Sequence, residues 1–281
     1  MTEVAWTDTA SKVCLITGAS QGIGWALAEA LAARNARVFV CDISSDKVSV
    51  ARNQVERDNQ SDRIDVRQCD VADRTQFEEW ITDIFRQTGR IDMLVNNAAY
   101  ARWEGVAEMP VEDAERTMRV AYDGMVIGVK TVLPLMQAAG QGQIVNMGSS
   151  VGRIYVKGPS ASYAASKAAI DAFSQILSEE LRGTRVHVLL VRLATVVGTD
   201  FFRSHVPSSR LPRLADYLPY LTPAQVANGI LLALQQRKRV LDMPWWLPAF
   251  YLAFDVAPGA IRWITGIGGP AHHDFGQAAD R

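Results

Sequence analysis

Two hydrophobic periods alternate along the chain. Short, nearly continuous apolar runs rich in β-branched residues occur at "KVCLIT", "ARVFVCD", "IDVRQCD", "IDMLVNN", "GQIVNMG" and "RVHVLLVR". Between them, apolar residues recur at helical spacing over 23–35, 46–59, 75–88, 111–138 and 162–182. The runs predict strands covered on both faces, because a strand with one wet face alternates apolar and polar residues. Strand and helix in alternation predict right-handed βαβ crossovers. The expected fold class is therefore α/β, a doubly wound parallel sheet with helices on both faces. Past Leu193 the pattern loosens. The Pro- and Ser-rich "SHVPSSRLPRLADYLPYLTP" predicts a mobile excursion over about 199–222, followed by a helix over 223–237 and a last strand at "RVLDMP". From about 244 to 281 aromatic residues recur without a regular period, and an irregular tail is expected.

Composition fits this picture. The 281 residues are 48% apolar and 21% charged, enough for one large domain spanning 1–281. Net charge is -1 and no basic block occurs, so nucleic acid is not an expected partner. The N-terminal "MTEVAWTDTASK" carries acids and no apolar core of a secretory signal. The most apolar later stretch, "MPWWLPAFYLAF", is shorter than the roughly 20 residues of a spanning helix and contains prolines. A cytoplasmic protein without a transmembrane span is expected. Cys14, Cys41 and Cys69 form no C-x-x-C pair and read as small buried thiols in a reducing compartment. His187, His205, His272 and His273 lack metal-ligand spacing, so no metal is expected.

Candidate chemistry sits at the predicted strand ends, the edge where such sheets bind ligands. "CLITGASQGIGWALAEAL" is a strand, a glycine loop and a helix. Gly18, Gly22 and Gly24 permit a tight turn and close approach of a pyrophosphate, and the helix start offers free N–H groups. Asp42 ends the second strand, where an adenosine ribose would lie. Its carboxylate can accept from the 2′- and 3′-hydroxyls and would repel a 2′-phosphate. No Arg or Lys follows Ser20, where Gln21 stands. Both points favour NAD over NADP.

Tyr163 and Lys167, at i and i+4, share one helix face. Alone they are an ordinary surface pair. A tyrosine titrates near pH ~10, and an ammonium beside it stabilises the phenolate for acid–base work near neutrality. A serine hydroxyl at the end of "IVNMGSSVG" could hold a substrate oxygen beside that tyrosine. Counting forward from Asn146 selects Ser149, and counting back from Tyr163 selects Ser150. Ser149 is preferred because it keeps the strand register.

Taken as a set, "TGASQGIG", "CDV" (residues 69–71), "NNAA" (96–99) and "YAASK" resemble the short-chain dehydrogenase/reductase family, from about Lys12 to Thr199. The resemblance implies a single-domain Rossmann-type fold and hydride transfer between a nicotinamide and a carbinol or carbonyl carbon. It implies Tyr163 as the acid/base, Lys167 as its electrostatic partner and ribose ligand, and a serine polarising the substrate oxygen. It further implies Ser20, Gln21 and Ile23 in the cofactor loop, Asp70 and Val71 beside the adenine, and Asn97 and Ala98 supporting the cofactor. Thr195, Val196 and Thr199 follow as contacts from the loop after the sixth strand. Three departures stand out: Ala99 in place of glycine, Ala121 where the family often has a helix-kinking asparagine, and Leu193–Ala194 where it has Pro-Gly.

Tyr100, Trp103, Arg153, Tyr155 and the 201–219 excursion, beginning at Phe201, are the expected pocket walls. They suggest a bulky apolar alcohol or ketone, such as a steroid, terpenoid, aromatic or long-chain compound. The family resemblance implies a homodimer or homotetramer through its long helices, for which "MVIGVKTVLPLM" is apolar enough. The aromatic tail is expected to seal a subunit interface, cover the substrate mouth or touch a membrane surface, in that order, with its prolines breaking any amphipathic helix. Two other functions compete with an NAD-dependent oxidoreductase. One is a cofactor-binding sensor with little catalysis; the other is a lyase or epimerase using the same tyrosine.

Overall fold

The structure is a computed structural model and describes residues 11–206, 210, 211, 213–267, 269 and 271. His272, His273, the first ten residues and parts of the excursion and tail lie outside these. Seven strands form one sheet: β1 Val13–Thr17, β2 Arg37–Asp42, β3 Ile64–Gln68, β4 Met93–Asn96, β5 Gly142–Met147, β6 Val186–Leu193 and β7 Val240–Met243. They run in the order β3-β2-β1-β4-β5-β6-β7, and every pairing is parallel. Chain direction across the sheet therefore reverses between β1 and β4, which opens a crevice above their carboxyl ends.

Helices α1 Gly22–Ala32, α2 Ser45–Arg57 and α8 Pro223–Gln235 cover one face. Helices α3 Arg74–Thr88, α4 Val111–Met118, α5 Gly124–Ala138 and α6 Ala161–Glu180 lie on the other. Every strand but the edge strand β3, which gives only Ile64 and Val66 to the first core, feeds both cores. On β1, Cys14 and Ile16 join the first cluster while Val13 and Leu15 join the second, all nearly inaccessible. This double coverage is why the strands are continuously apolar.

One polar ladder crosses the second core. Asn96 pairs in register with Asn146 and donates to its side chain (2.8 Å). Asn146 donates to Ser174 Oγ (2.9 Å), and Ser174 donates to the Ile170 carbonyl (2.6 Å). Each amide or hydroxyl thus has a partner where burial would otherwise be costly.

Two elements differ from the sequence pattern. The expected single helix over 111–138 widens into a five-residue π turn, Arg119–Asp123, between α4 and α5. Ala121 sits in its middle, buried beside Ile170 and Val129 in the same core cluster. The helix therefore departs from α geometry here without an asparagine. The tail is also more regular than expected: α9 Leu247–Val256 and α10 Pro258–Gly266 are helices. Pro248 and Pro258 occupy first-turn positions, where the missing N–H costs no helical bond and φ is already helical. They start helices instead of breaking them. The excursion carries α7 Asp200–His205, a 3₁₀ turn at Arg213–Tyr217 and an isolated parallel bridge between Val196 and Leu221.

Candidate active site

A cavity of about 500 Å³ runs along the carboxyl edge of the sheet. At one end stands the glycine loop. Gly18 has φ +59°, and a Cβ there would lie 2.7 Å from the Ala98 Cα. Gly22 has φ +61°, a left-handed conformation that side chains rarely adopt, and abuts the Thr199 methyl. The N-cap Gln21 makes no side-chain capping bond and the first turn of α1 has no acid, so the helix start is free to meet an anion. Gly24 serves packing: a Cβ there would meet Ala19 at 2.6 Å and Asn97 Nδ2 at 2.8 Å.

The loop is tied to β4 by hydrogen bonds across roughly 80 residues of sequence. Asn97 Nδ2 donates to the carbonyls of Thr17 (3.0 Å) and Gly18 (2.8 Å). Thr17 Oγ1 accepts from the Asn97 and Ala98 amides at 3.1 Å each. Asn97 therefore holds the loop in place, while Ala98 and Gly18 line the cavity. Asp42 lines it too, with its carboxylate fixed by Ser20 Oγ (2.5 Å) and the Ser44 amide (3.1 Å). Ser20 turns to Asp42 and not to the cavity, so its place is to orient that carboxylate. Asp70 Oδ1 accepts from the Ala72 amide (2.9 Å), and Val71 packs under Gly124; both line the same end.

Tyr163, Lys167 and Ser149 lie at the other end. All three reach the cavity. Ser160 caps α6 by accepting from the Tyr163 amide (3.3 Å), which starts the helix so that residues 163 and 167 share the inward face. Tyr163 is 8% exposed and Lys167 4%. Burial pushes the Tyr163 phenol above its usual range, and a hydrogen bond with Ser149 pulls it partly back. Burial alone lowers Lys167 to about 8. Its Nζ donates to the Met147 carbonyl (2.8 Å) and lies 5.6 Å from the Tyr163 ring centroid. Ser149 is thus the serine in contact with the tyrosine, whereas Ser150 opens the 3₁₀ turn that follows.

Thr195, Val196 and Thr199 also line the cavity. The loop after β6 continues the sheet edge without Pro-Gly: Leu221 N donates to the Thr195 carbonyl (3.0 Å), and Val197 N to that of Leu221 (2.9 Å). At this same end, Trp103 and Phe201 flank Tyr163 at ring-centroid distances of 6.0 and 5.4 Å. Tyr100 lines the wall. Its hydroxyl donates to Asp113 (2.5 Å), and Arg116 stacks on its ring at 4.3 Å. Burial and that bond to Asp113 hold its phenol above the usual range.

Two expected wall residues are placed elsewhere. Tyr155 is 52% exposed, donates to the Gly152 carbonyl (3.1 Å) and turns its ring edge to Phe254. Arg153 stacks on Tyr251 and pairs with Asp255 (3.4 Å). Both belong to the outer packing of α9. In their place, Trp246, Leu247 and Phe250 from α9 and Thr265 from α10 wall the cavity. The sequence singled out these aromatics, but their inward face shows only once the tail is helical. Lys47 and Asp200 at the rim were missed as well. Asp200 accepts from Lys47 Nζ (2.6 Å) and Gln21 Nε2 (3.1 Å), joining residues 153 and 179 apart in sequence. Among the described residues no cluster of His, Cys, Asp and Glu could hold a metal, and no helix is long and apolar enough to cross a membrane. Cys14, Cys41 and Cys69 are buried free thiols.

Residues 12–209 match the family model described as short chain dehydrogenase. A fatty acyl-CoA reductase of Acinetobacter baylyi is 32% identical over 235 residues, covering 81% of this chain and 74% of that protein. A short chain dehydrogenase/reductase from Burkholderia phymatum in complex with NAD superposes with TM-score 0.78 at 22% identity, over 91% of this chain and 96% of the other. The closed form of serine dehydrogenase complexed with NADP+ superposes with TM-score 0.72 at 27% identity, over 82% and 94%.

Proposed function

Because the chain belongs to the short-chain dehydrogenase family of oxidoreductases, we infer that it is an NAD-dependent enzyme interconverting a bulky, apolar secondary alcohol and its ketone. The observation that carries this reading is the Tyr163–Ser149 contact beside Lys167, in the same cavity as Asp42 and the glycine loop.

The residues present fit a dinucleotide. Gly18 and Gly22 make left-handed turns at the cavity wall that a side chain would strain, and the unblocked start of α1 suits a pyrophosphate. The oriented Asp42 carboxylate suits a ribose diol and disfavours a 2′-phosphate, which supports NAD over NADP. Lys47, the one nearby cation on that rim named above, is engaged by Asp200. When bound, the nicotinamide supplies the hydride acceptor or donor.

The chain's own residues handle the proton. Tyr163 takes it from the substrate hydroxyl, or returns it to a carbonyl, and Ser149 shares the substrate oxygen. Lys167 offers the positive charge that an ionising phenol needs. The walls from Trp103, Val151, Ile154, Phe201, Leu211 and Phe250 exclude water and favour an apolar substrate. A relative named for a fatty acyl substrate is in keeping with a long-chain compound. A sensor that only bound cofactor would have no use for the Tyr163–Ser149 contact.

A panel of aliphatic, terpenoid and aromatic secondary alcohols with NAD, followed at the nicotinamide absorbance, tests the reading. Turnover is expected for bulky members. Tyr163→Phe should lower kcat by about 10²–10⁴-fold with NAD affinity kept within about twofold. Tight NAD binding without turnover on any substrate would instead establish the sensor.

A further inference from the structure

The helices α9 and α10 have two unlike faces. Inward, Leu247, Tyr251 and Phe254 are buried, and Trp246, Leu247, Phe250 and Thr265 wall the cavity. Outward, Ala249, Leu252 and Val256 follow one another on α9 at i, i+3 and i+7, a single apolar stripe, and Trp245 stands in the turn just before the helix. Trp245 is 88% exposed, Leu252 65% and Val256 77%. From α10 and the residue after it, Trp263 (71%), Ile264 and Ile267 are exposed as well. A stripe of this kind ordinarily faces a core; here nothing in the chain's described residues covers it.

Its charges are sparse. Between Trp245 and Ile267 the charged residues are Asp255 and Arg262. Asp255 is already paired with Arg153. Arg262 Nε donates to the Tyr155 carbonyl (3.1 Å), which ties the 153–157 segment to α10 and sets Lys157 and the half-exposed Tyr155 ring at the same border. An apolar face with one exposed tryptophan just before α9 and one on α10 is thus bordered by Arg153, Lys157 and Arg262 against one acid.

We propose that this face docks on an anionic lipid bilayer, bringing the apolar cavity behind α9 to the membrane surface. Tryptophan, with an apolar body and one N–H donor, suits headgroup depth. Helices of ten and nine residues are far too short to span a bilayer, so they lie in its interface. Charge decides against a second copy of the chain as the occupant. Two-fold pairing of this face would set its cationic border against itself, whereas anionic headgroups complement it. The proposal goes beyond the oxidoreductase reading and is read by partition, not turnover, so the two fail separately.

The full chain is mixed with vesicles of phosphatidylcholine alone, or of phosphatidylcholine with about one-third phosphatidylglycerol, and sedimented. Binding to the anionic vesicles, weakened by salt and accompanied by a blue shift of tryptophan emission, is expected. Trp245→Ser with Trp263→Ser should lower the partition coefficient about tenfold or more. Lys157→Glu with Arg262→Glu should abolish the preference for anionic vesicles. Circular dichroism should match the parent for both variants, since all four side chains are on the surface. The proposal is overturned if the chain binds neither vesicle, or if the tryptophan variant binds like the parent. It is also overturned if the parent is a dimer in lipid-free buffer that the tryptophan variant splits, which would assign the face to a second copy.

Discussion

The two ends of the cavity are held by different forces. At the glycine-loop end directed bonds hold the polar groups: Asn97 and Thr17 stitch β4 to the loop, and Ser20 with Ser44 aims Asp42. At the far end the walls are rings and aliphatic groups in two small apolar clusters. Their polar anchor is a buried group: Arg192 donates twice to Asp171 (2.5 and 3.0 Å), lies 3.5 Å from Asp242 and faces the Tyr251 ring. Burial, then the Asp242 charge, holds the Tyr251 phenol above its usual range. One end thus suits a molecule that never changes, contacted through backbone; the other suits a shape, which tolerates substitution.

The sharpest way to break that contrast is at the reacting group of the far end. Ser149→Ala should lower kcat/KM at least about a hundredfold, whereas Ser150→Ala should change it less than about threefold. Equal effects would mean that the Ser149–Tyr163 contact does not define the reacting end. Within the directed end, Gly18→Ala forces a side chain at φ +59° against the Ala98 backbone. It should cost about 3 kcal/mol of stability, read by urea unfolding, and weaken NAD binding. Within the shaped end, Phe250→Ala should leave stability nearly untouched yet shift preference toward longer or bulkier alcohols by roughly tenfold in kcat/KM. An unchanged substrate profile would remove α9 from the list of specificity walls.

The smallest effect is a pH slope. Lys167 is lowered to about 8 in the folded chain, below its unfolded value near ~10.4. A cation with a depressed pKa destabilises the fold fully below pH ~8, and that cost disappears as pH rises toward ~10.4. Between pH ~8 and ~9.5, where the parent sheds this cost, its stability should rise relative to Lys167→Met by at most about 1.4 kcal/mol per pH unit. Parallel unfolding curves across that window would place the ammonium in a wetter setting than its 4% exposure indicates.

What the sequence made legible divides along the same line. The strands, the helices on the sheet and the glycine loop are local signals, carried by period, glycine placement and strand-end polar residues. Ser149 and Ser150 stay alternatives in the sequence, because counting from Asn146 and counting from Tyr163 select different ones; the 3₁₀ turn that begins at Ser150 is not legible there. Tyr155 could not be placed, because its position follows from α9 packing against the 153–157 segment. Lys47 and Asp200 meet across 153 residues, and neither bears a local mark of the other. The tail helices were hidden by Pro248 and Pro258, which read as breakers until their first-turn positions are known.

The polar ladder in the second core has a further consequence. Tyr163, Lys167, Ile170 and Ser174 lie along one stripe of α6, at i, i+4, i+7 and i+11. Because Ser174 is pinned to Asn146, the stripe is indexed against β5 at a point about 16 Å along the helix axis from Tyr163. A slip of one residue would turn the helix by about 100° and carry Tyr163 away from Ser149. The amide pair deep in the core thus acts as an alignment key. It sets the meeting of two side chains that it never touches.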